Sequence, residues 1–317
     1  MGGALDPAVA AGRNLVREAL ADLEAGARIV VGVSGGADSL ALAAVTAFVA
    51  DRESYELTAL VVDHGLQDGS AEVAERAVAR LGTLGVPATV RRVEVGREGG
   101  PEAAARTARL AALAGTGADA VLIAHTLDDQ AETVLLGLGR GSGPRSISGM
   151  ASRDGLWRRP FLSLRRADTE QICRAHGLEW WTDPHNSDPA FRRSRIRSEV
   201  MPVLEDVLGG GVAEALARTA DQVRIDSAYL DLLADRVDDV LDVQTLADLP
   251  AALRSRVLRR GALAAGADAA ALNAGHLAEL DRLVTDWHGQ RRIELPGGVS
   301  ASRTGASLSF ADTPVGG

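Results

Sequence analysis

The sequence predicts an α/β fold: a parallel sheet with helices on both faces, followed by a smaller, mainly helical domain ending in a β-hairpin. Three observations carry that expectation. Over residues 1–139, short β-rich apolar runs alternate with longer Ala/Leu/Arg/Glu stretches, the βαβα pattern. The triplet Gly209-Gly210-Gly211 then interrupts the chain. Beyond it, helical periodicity gives way near the carboxyl end to alternating residues.

Taken in order, a helix over 8–24 precedes a first strand at 28–33. Further strands are expected at 57–63, 88–95 and 120–124, separated by helices at 39–51, 70–85, 101–115 and 128–139. Crossovers of this length suit parallel neighbours. Gly141, Gly143, Pro144 and Gly149 then break the periodicity, 156–164 reads as one more strand or extended segment, and a short helix follows at 166–177. Pro184 and Pro189 punctuate a loop before a helix at 193–208, which the glycine triplet ends. The domain boundary is placed there, giving residues 1–210 and 211–317. The second part reads as one long helix at 212–243, two shorter ones at 251–265 and 272–287, and one or two hairpins around Pro296-Gly297-Gly298 that run on through Phe310. No internal repeat is present.

Composition narrows the class. A hydrophobic fraction of 46% beside 24% charged residues describes a soluble folded chain. No apolar run approaches the roughly 20 residues of a membrane span, and the amino terminus lacks the shape of a signal peptide, so a cytoplasmic protein is expected. A single cysteine, Cys173, and no zinc-spaced Cys/His set leave the core to hold the fold. The net charge of -9 conceals a gradient: residues 140–200 carry 12 Arg against 7 acids, while the flanks are acidic. All 34 basic residues are arginine, so any lysine ammonium must arrive as substrate.

The most informative segment is Ser34-Gly35-Gly36-Ala37-Asp38-Ser39, between a strand and a helix. The glycines let backbone approach a ligand, Ser34 and Ser39 add hydroxyls, and the helix start offers free N–H groups to an anion. Asp38 suits phosphate only with a divalent cation between them, which points to a magnesium nucleotide. Without a Gly-Lys-Ser/Thr ending this is not a Walker loop. Asp63-His64 lies at the carboxyl end of the second strand, where ligands sit in open α/β sheets. After the fourth strand, His125-Thr126-Leu127-Asp128-Asp129-Gln130-Ala131-Glu132-Thr133 gathers carboxylates at a helix start. Asp129 and Glu132, three residues apart, share a face that can aim at a cation.

These three segments, in this order, resemble the tRNA(Ile)-lysidine synthases of the PP-loop, N-type ATP pyrophosphatase superfamily, whose fold is Rossmann-like. Glu102-Ala103-Ala104-Ala105-Arg106, Arg140-Gly141-Ser142-Gly143, Arg159-Pro160-Phe161-Leu162, Asp183-Pro184-His185-Asn186 and Leu295-Pro296-Gly297-Gly298 agree as well. Two positions depart from the pattern: Gln67 stands where the family often has arginine, and Ser194 where it has asparagine. The resemblance covers most of residues 26–203 and is thinner beyond.

The resemblance implies that ATP activates the C2 carbonyl of the wobble cytidine in an isoleucine tRNA with a CAU anticodon. Free L-lysine then displaces AMP through its ε-amine. It makes residues 1–210 the catalytic domain, with 140–200 facing tRNA, and 211–317 a tRNA-binding domain. Ser34, Gly35, Gly36, Ala37, Asp38, Ser39, Asp63 and His64 are the expected ATP contacts, with Asp38 on the Mg²⁺ side. Asp38, His125 and Asp129 are the expected catalytic residues, His125 near the adenylate or the base, and Asp129 and Glu132 hold lysine. Arg106, Arg140, Arg145, Arg192, Arg193, Arg195 and Arg197 pair with tRNA phosphates. A solvated arginine-rich face stays an alternative, for Arg165 and Arg166 in particular. Trp180 and Trp181 read first as packing residues, and Cys173 as a small buried hydrophobe. Homodimers occur in the family. A PP-loop ligase adenylating a small-molecule carbonyl, and a nucleotide-binding module without turnover, remain the competing readings.

Overall fold

The computed structural model describes residues 5–65, 69–96, 100–141, 143–183, 188–238, 241–289 and 292–313. Leu66, Gln67, Ser142, Pro184, His185 and Asn186, all singled out in the sequence, lie outside them. Residues Met1–Thr133 with Met150–Ala217 pack as one unit, and Val134–Gly149 with Arg218–Gly317 as a second. The division falls just inside the helix that follows the glycine triplet rather than at the triplet, and residues 134–149 go with the second unit.

In the first unit, Asp6 accepts a hydrogen bond from the Ala8 N–H at 2.9 Å, and Pro7 occupies the first turn, starting α1 (Pro7–Ala19). β1 (Arg28–Val33) is buried on both faces: Ile29, Val31 and Val33 pack with α1 and α2 (Ala37–Glu53), while Val30 faces the other side. β2 (Glu56–Asp63), α3 (Ser70–Thr83), β3 (Ala88–Arg92), α4 (Pro101–Ala114) and β4 (Ala120–Leu122) continue the alternation. Leu113 of α4 joins Val30, Leu60 and Val121 on the second face, so helices cover both.

α5 (Leu127–Arg140) follows β4, and α6 (Pro144–Ile147) precedes a hairpin of β5 (Arg153–Asp154) and β6 (Trp157–Arg158). The sheet runs β3-β2-β1-β4-β6-β5, parallel except for the β5–β6 pair. Strand order reverses between β1 and β4. Their carboxyl ends therefore flank the crevice in which such sheets bind ligands. The extended segment expected at 156–164 is only two residues of strand, because Pro160 starts a 3₁₀ turn over Pro160–Ser163. α7 (Arg166–Ala175) packs on α1 and α2.

The helix expected at 193–208 is segmented into α8 (Arg192–Arg195), a π-helical turn over Ile196–Val200, and α9 (Met201–Leu208). Pro202 has no N–H to give the preceding turn, and a widened turn is how a helix absorbs that loss. The glycine triplet ends α9 as expected, with Gly209 left-handed.

The long helix expected at 212–243 stops earlier. α10 (Val212–Asp235) ends before Asp242 begins a separate helix, α11 (Val243–Asp248), by accepting from the Thr245 N–H at 2.6 Å. α12 (Ala251–Ala264) and α13 (Ala274–Thr285) pack with a three-stranded antiparallel sheet of β7 (Ile293–Leu295), β8 (Val299–Thr304) and β9 (Ser307–Asp312). The expected hairpins are thus two. Gly297 is needed in the first: its φ is +91°, and a Cβ there would stand 2.7 Å from the Asp268 nitrogen. Among the described residues, no helix is long and apolar enough to cross a membrane.

Candidate active site

The loop after β1 is held by its own side chains. The Ser39 hydroxyl accepts from the Ser34 N–H at 3.2 Å and donates to the Gly36 carbonyl at 3.0 Å. Gly35, with φ +83°, turns the chain, and the Trp181 N–H ties its carbonyl from outside at 3.0 Å. Gly36 caps α2 without a side-chain bond, which leaves the first-turn N–H groups facing the crevice edge. Within that first turn, Asp38 accepts from the Thr169 hydroxyl of α7. Burial raises its carboxyl above the usual range, against the pull of Thr169 and Arg166. Cys173, also on α7, is fully buried and donates to the Ala37 carbonyl, its thiol pushed up to about 12 by burial.

The loop after β4 approaches from the other side of the switch point. Asp129 accepts from the Thr126 N–H at 2.8 Å and its hydroxyl at 3.0 Å, closing the start of α5. Burial alone would raise Asp129, but Arg166, the Thr126 N–H and Arg197 outweigh it and keep its carboxyl below the usual range. Glu132, 1% exposed, moves the other way, raised by burial despite the Arg197 guanidinium 2.8 Å from its Oε1. Its Oε2 is buried with no hydrogen-bond partner. Leu127 and Ala131 pack on Ala213 and Ala217 of α10, fixing this end of α5.

One guanidinium joins the two loops. Arg166 lies 3.6 Å from Asp38, 3.1 Å from Asp129 and 3.9 Å from Glu132. Its backbone is anchored by a 2.8 Å bond from its N–H to Asp128. Beside this cluster a 140 Å³ cavity is lined by Ser34, Asp38, Ser39, Val62, Arg109 and His125. Burial, with Arg106 and Arg109 nearby, depresses His125 to about 3, so its imidazole is neutral around pH 7, and its Nδ1 is buried without a partner. The Arg109 Nε is orphaned in the same way. A larger cavity of 540 Å³, between Arg13, Phe48, Tyr55 and His176 at the amino ends of β2 and β3, holds none of the loop or carboxylate residues. The smaller cavity is the chemically significant one, because it lies against the glycine loop, Asp38 and His125 at the carboxyl ends of β1 and β4.

The residues expected from sequence divide accordingly. Ser34, Gly35, Gly36, Ala37, Asp38, Ser39, His125, Asp129 and Glu132 come together at the crevice. Asp63 and His64 lie at the end of β2, where Asp63 accepts from the Gly65 N–H at 2.9 Å; this bond, Ser70 and Arg92 lower its carboxyl against burial. The arginines scatter. Arg192 is exposed, Arg193 is partly buried, and Arg195 pairs with Glu199 at 2.8 Å one turn away. Arg197, expected to face phosphates, is turned instead onto Glu132 and Asp129. Arg140 is exposed at the end of α5, and Arg145 pairs with Asp231 at 2.6 Å within the second unit. Arg106 is partly buried on α4 near His125.

Comparison with known proteins now bears on this geometry. A PP-loop domain profile matches residues 11–204, and a TilS substrate binding domain profile matches residues 241–307. A tRNA(Ile)-lysidine synthase of Thermobifida fusca is 54% identical over 303 residues, covering 92% of this chain and 94% of that protein. One of Salinispora tropica is 48% identical over 326 residues, covering 98% of each. The chain belongs to the tRNA(Ile)-lysidine synthase family. Among solved structures, the U34-tRNA thiolase NcsA of Methanococcus maripaludis, described with its [4Fe-4S] cluster, superposes with a TM-score of 0.57 at 18% identity. It covers 68% of this chain and 79% of that one, a likeness of fold.

Sequence reasoning missed three residues of the cluster. Sequence groups Arg166 with Arg165 on a solvated face, but only Arg165 fits that even loosely, pairing with Asp128 and Glu214. Thr169 gives no sequence signal beyond standing one turn after Arg166. Arg109 had a weak one: three residues past Arg106, it shares that residue's helical face.

Proposed function

We propose that the crevice at the ends of β1 and β4 is where this family member ligates lysine to the wobble cytidine of an isoleucine tRNA, using ATP and releasing pyrophosphate and then AMP. The observation that carries the reading is the Arg166 bridge between Asp38 of the phosphate loop and the paired carboxylates Asp129 and Glu132. It brings an anion-binding loop and a cation-binding pair within one side chain's reach.

The chemistry follows from the residues. The helix start after Gly36 and the Ser34 and Ser39 hydroxyls receive the phosphates, so that charge developing on pyrophosphate meets preorganised donors. A carboxylate and hydroxyls form an oxygen-only donor set, which fits Mg²⁺ rather than a soft metal. Asp38 would hold that ion together with phosphate oxygens, and the ion would neutralise charge on the leaving group. The cytidine C2 oxygen attacks the α-phosphorus and pyrophosphate departs; the lysine ε-nitrogen then bonds to C2 and AMP leaves. Free lysine is protonated at neutral pH, with a pKa of roughly 10.4, and must shed that proton to attack. The open Glu132 Oε2 is placed to accept an ammonium hydrogen, and burial makes Glu132 a stronger base than an exposed carboxylate. His125, neutral at physiological pH, contributes a hydrogen bond rather than a charge. Among the expected tRNA contacts, Arg192 is exposed, which favours its pairing with phosphate.

Incubation of the purified protein with ATP, Mg²⁺, labelled lysine and an isoleucine tRNA transcript bearing the CAU anticodon tests the reading. Label should enter the tRNA and depend on ATP. ATP binding without lysine incorporation defeats it.

A further inference from the structure

We propose that Arg166 is a counterion switch that makes lysine binding wait for the nucleotide: without nucleotide it occupies the carboxylates meant for lysine, and a bound triphosphate draws it away. The proposal rests on the lysine-ligating reading of the site. Its starting point is charge: Asp38, Asp129 and Glu132 stand together, and the two guanidiniums of Arg166 and Arg197 already lie among them. An incoming ammonium seeking the open Glu132 Oε2 meets two like charges that hold the neighbouring oxygens.

Arg166 is built to move at its head and not at its stem. Its N–H is fixed to Asp128, and the turn before it is closed by Asp168, which accepts from the Arg165 N–H at 2.9 Å. Of its three carboxylate contacts only the one to Asp129, at 3.1 Å, is of hydrogen-bond length; those to Asp38 and Glu132 are 3.6 Å and 3.9 Å. The guanidinium is therefore shared rather than locked. Its side chain is 26% exposed, and its Nε already faces Asp38 in the first turn of the helix that receives phosphate. A triphosphate seated at that loop presents several anionic oxygens on the Asp38 side of the guanidinium, and guanidinium pairs well with phosphate oxygens. Turning toward it, Arg166 leaves the two carboxylates to the substrate ammonium. The binding sites for nucleotide and lysine are then coupled, and each tightens the other by the same factor.

Calorimetric titration of lysine into the full chain, with and without Mg²⁺ and a non-hydrolysable ATP analogue, tests this. Lysine affinity should rise on the order of tenfold or more when the analogue is present. In R166Q, lysine should bind without nucleotide about as tightly as wild type binds it with nucleotide, and the analogue should add less than about twofold; R166K, which keeps the charge, should retain coupling. Equal lysine affinity in both states of wild type, or full coupling surviving in R166Q, overturns the switch and leaves the ligase reading standing. Absence of lysine uptake in every state, with tRNA supplied, overturns both. Should R166Q fail to fold, the two wild-type titrations decide alone.

Discussion

The crevice of the first unit and the body of the second use the same residue in opposite ways. In the second, arginine is mortar: Arg254 donates to the Leu249 carbonyl at 2.9 Å and to Asp281 at 2.6 Å, Arg260 to the Ala234 and Val237 carbonyls at 2.7 and 2.6 Å, and Arg303 to the Leu283 carbonyl at 2.9 Å. These bonds satisfy carbonyls at helix ends, which have no partner within their own helices. In the first, Arg166 and Arg197 face carboxylates that burial penalises, Glu132 and Asp38 both being raised. An arginine tally cannot separate the two uses. Bonds to carbonyls mark arginines that hold a fold, whereas crowded carboxylates under a shared guanidinium mark the arginines that the proposed function assigns to the reaction.

Substitutions sharpen that contrast. The largest effect is expected for Asp38→Ala, which should lower pyrophosphate release by about 10²–10³-fold. Its unfolding free energy should move by no more than about 1 kcal/mol, because a desolvated charge is removed along with its pairing. A collapse in stability measured by urea unfolding would place Asp38 with the mortar instead. Arg254→Ala should do the reverse, costing about 2–3 kcal/mol by leaving Asp281 and the Leu249 carbonyl unpaired. Unchanged unfolding would remove the distinction between the units.

Smaller in scale, Glu132→Ala should raise the KM for lysine about tenfold and that for ATP much less, as expected for a lost charge-assisted contact. Equal rises in both constants would take Glu132 out of the lysine pocket. The smallest effect concerns pH. His125 titrates at 6.5 when unfolded and about 3 when folded, so below pH 6.5 the unfolded chain binds a proton that the folded chain refuses. Its contribution to stability is whole above pH 6.5 and declines as pH falls toward 3. Between pH 7 and pH 5, wild type should lose a few degrees of melting temperature more than His125→Gln. Parallel losses would mean that the imidazole is not desolvated.

Much of this was legible in the sequence because it is local. β1 and the start of α2 are fixed by a short β-rich apolar run and by Ser-Gly-Gly-x-Asp-Ser, and Asp129 and Glu132 declare themselves by standing three apart at a helix start. What escaped depends on long-range packing or on competing local signals. Pro202 widens a turn within an otherwise continuous helical pattern, Asp242 starts a new helix where periodicity alone runs on, and Pro160 ends a strand that apolarity favours. Arg166 sits beside Arg165 in sequence, and only the packing of α7 against α2 decides which of the two reaches Asp38. Arg197 looked like a phosphate contact because a basic run carries no record of which members turn inward.

The guanidiniums resting on Asp129 and Glu132 have one further consequence. A primary amine parked there would be a rival nucleophile as soon as the cytidine became electrophilic, and the protein would risk welding itself to its own substrate. Guanidinium, charged at every physiological pH and with its lone pairs delocalised, is inert in that position. Under the proposed reading, a chain with no lysine of its own keeps a cation at the point of attack that cannot be mistaken for the amino acid to be joined.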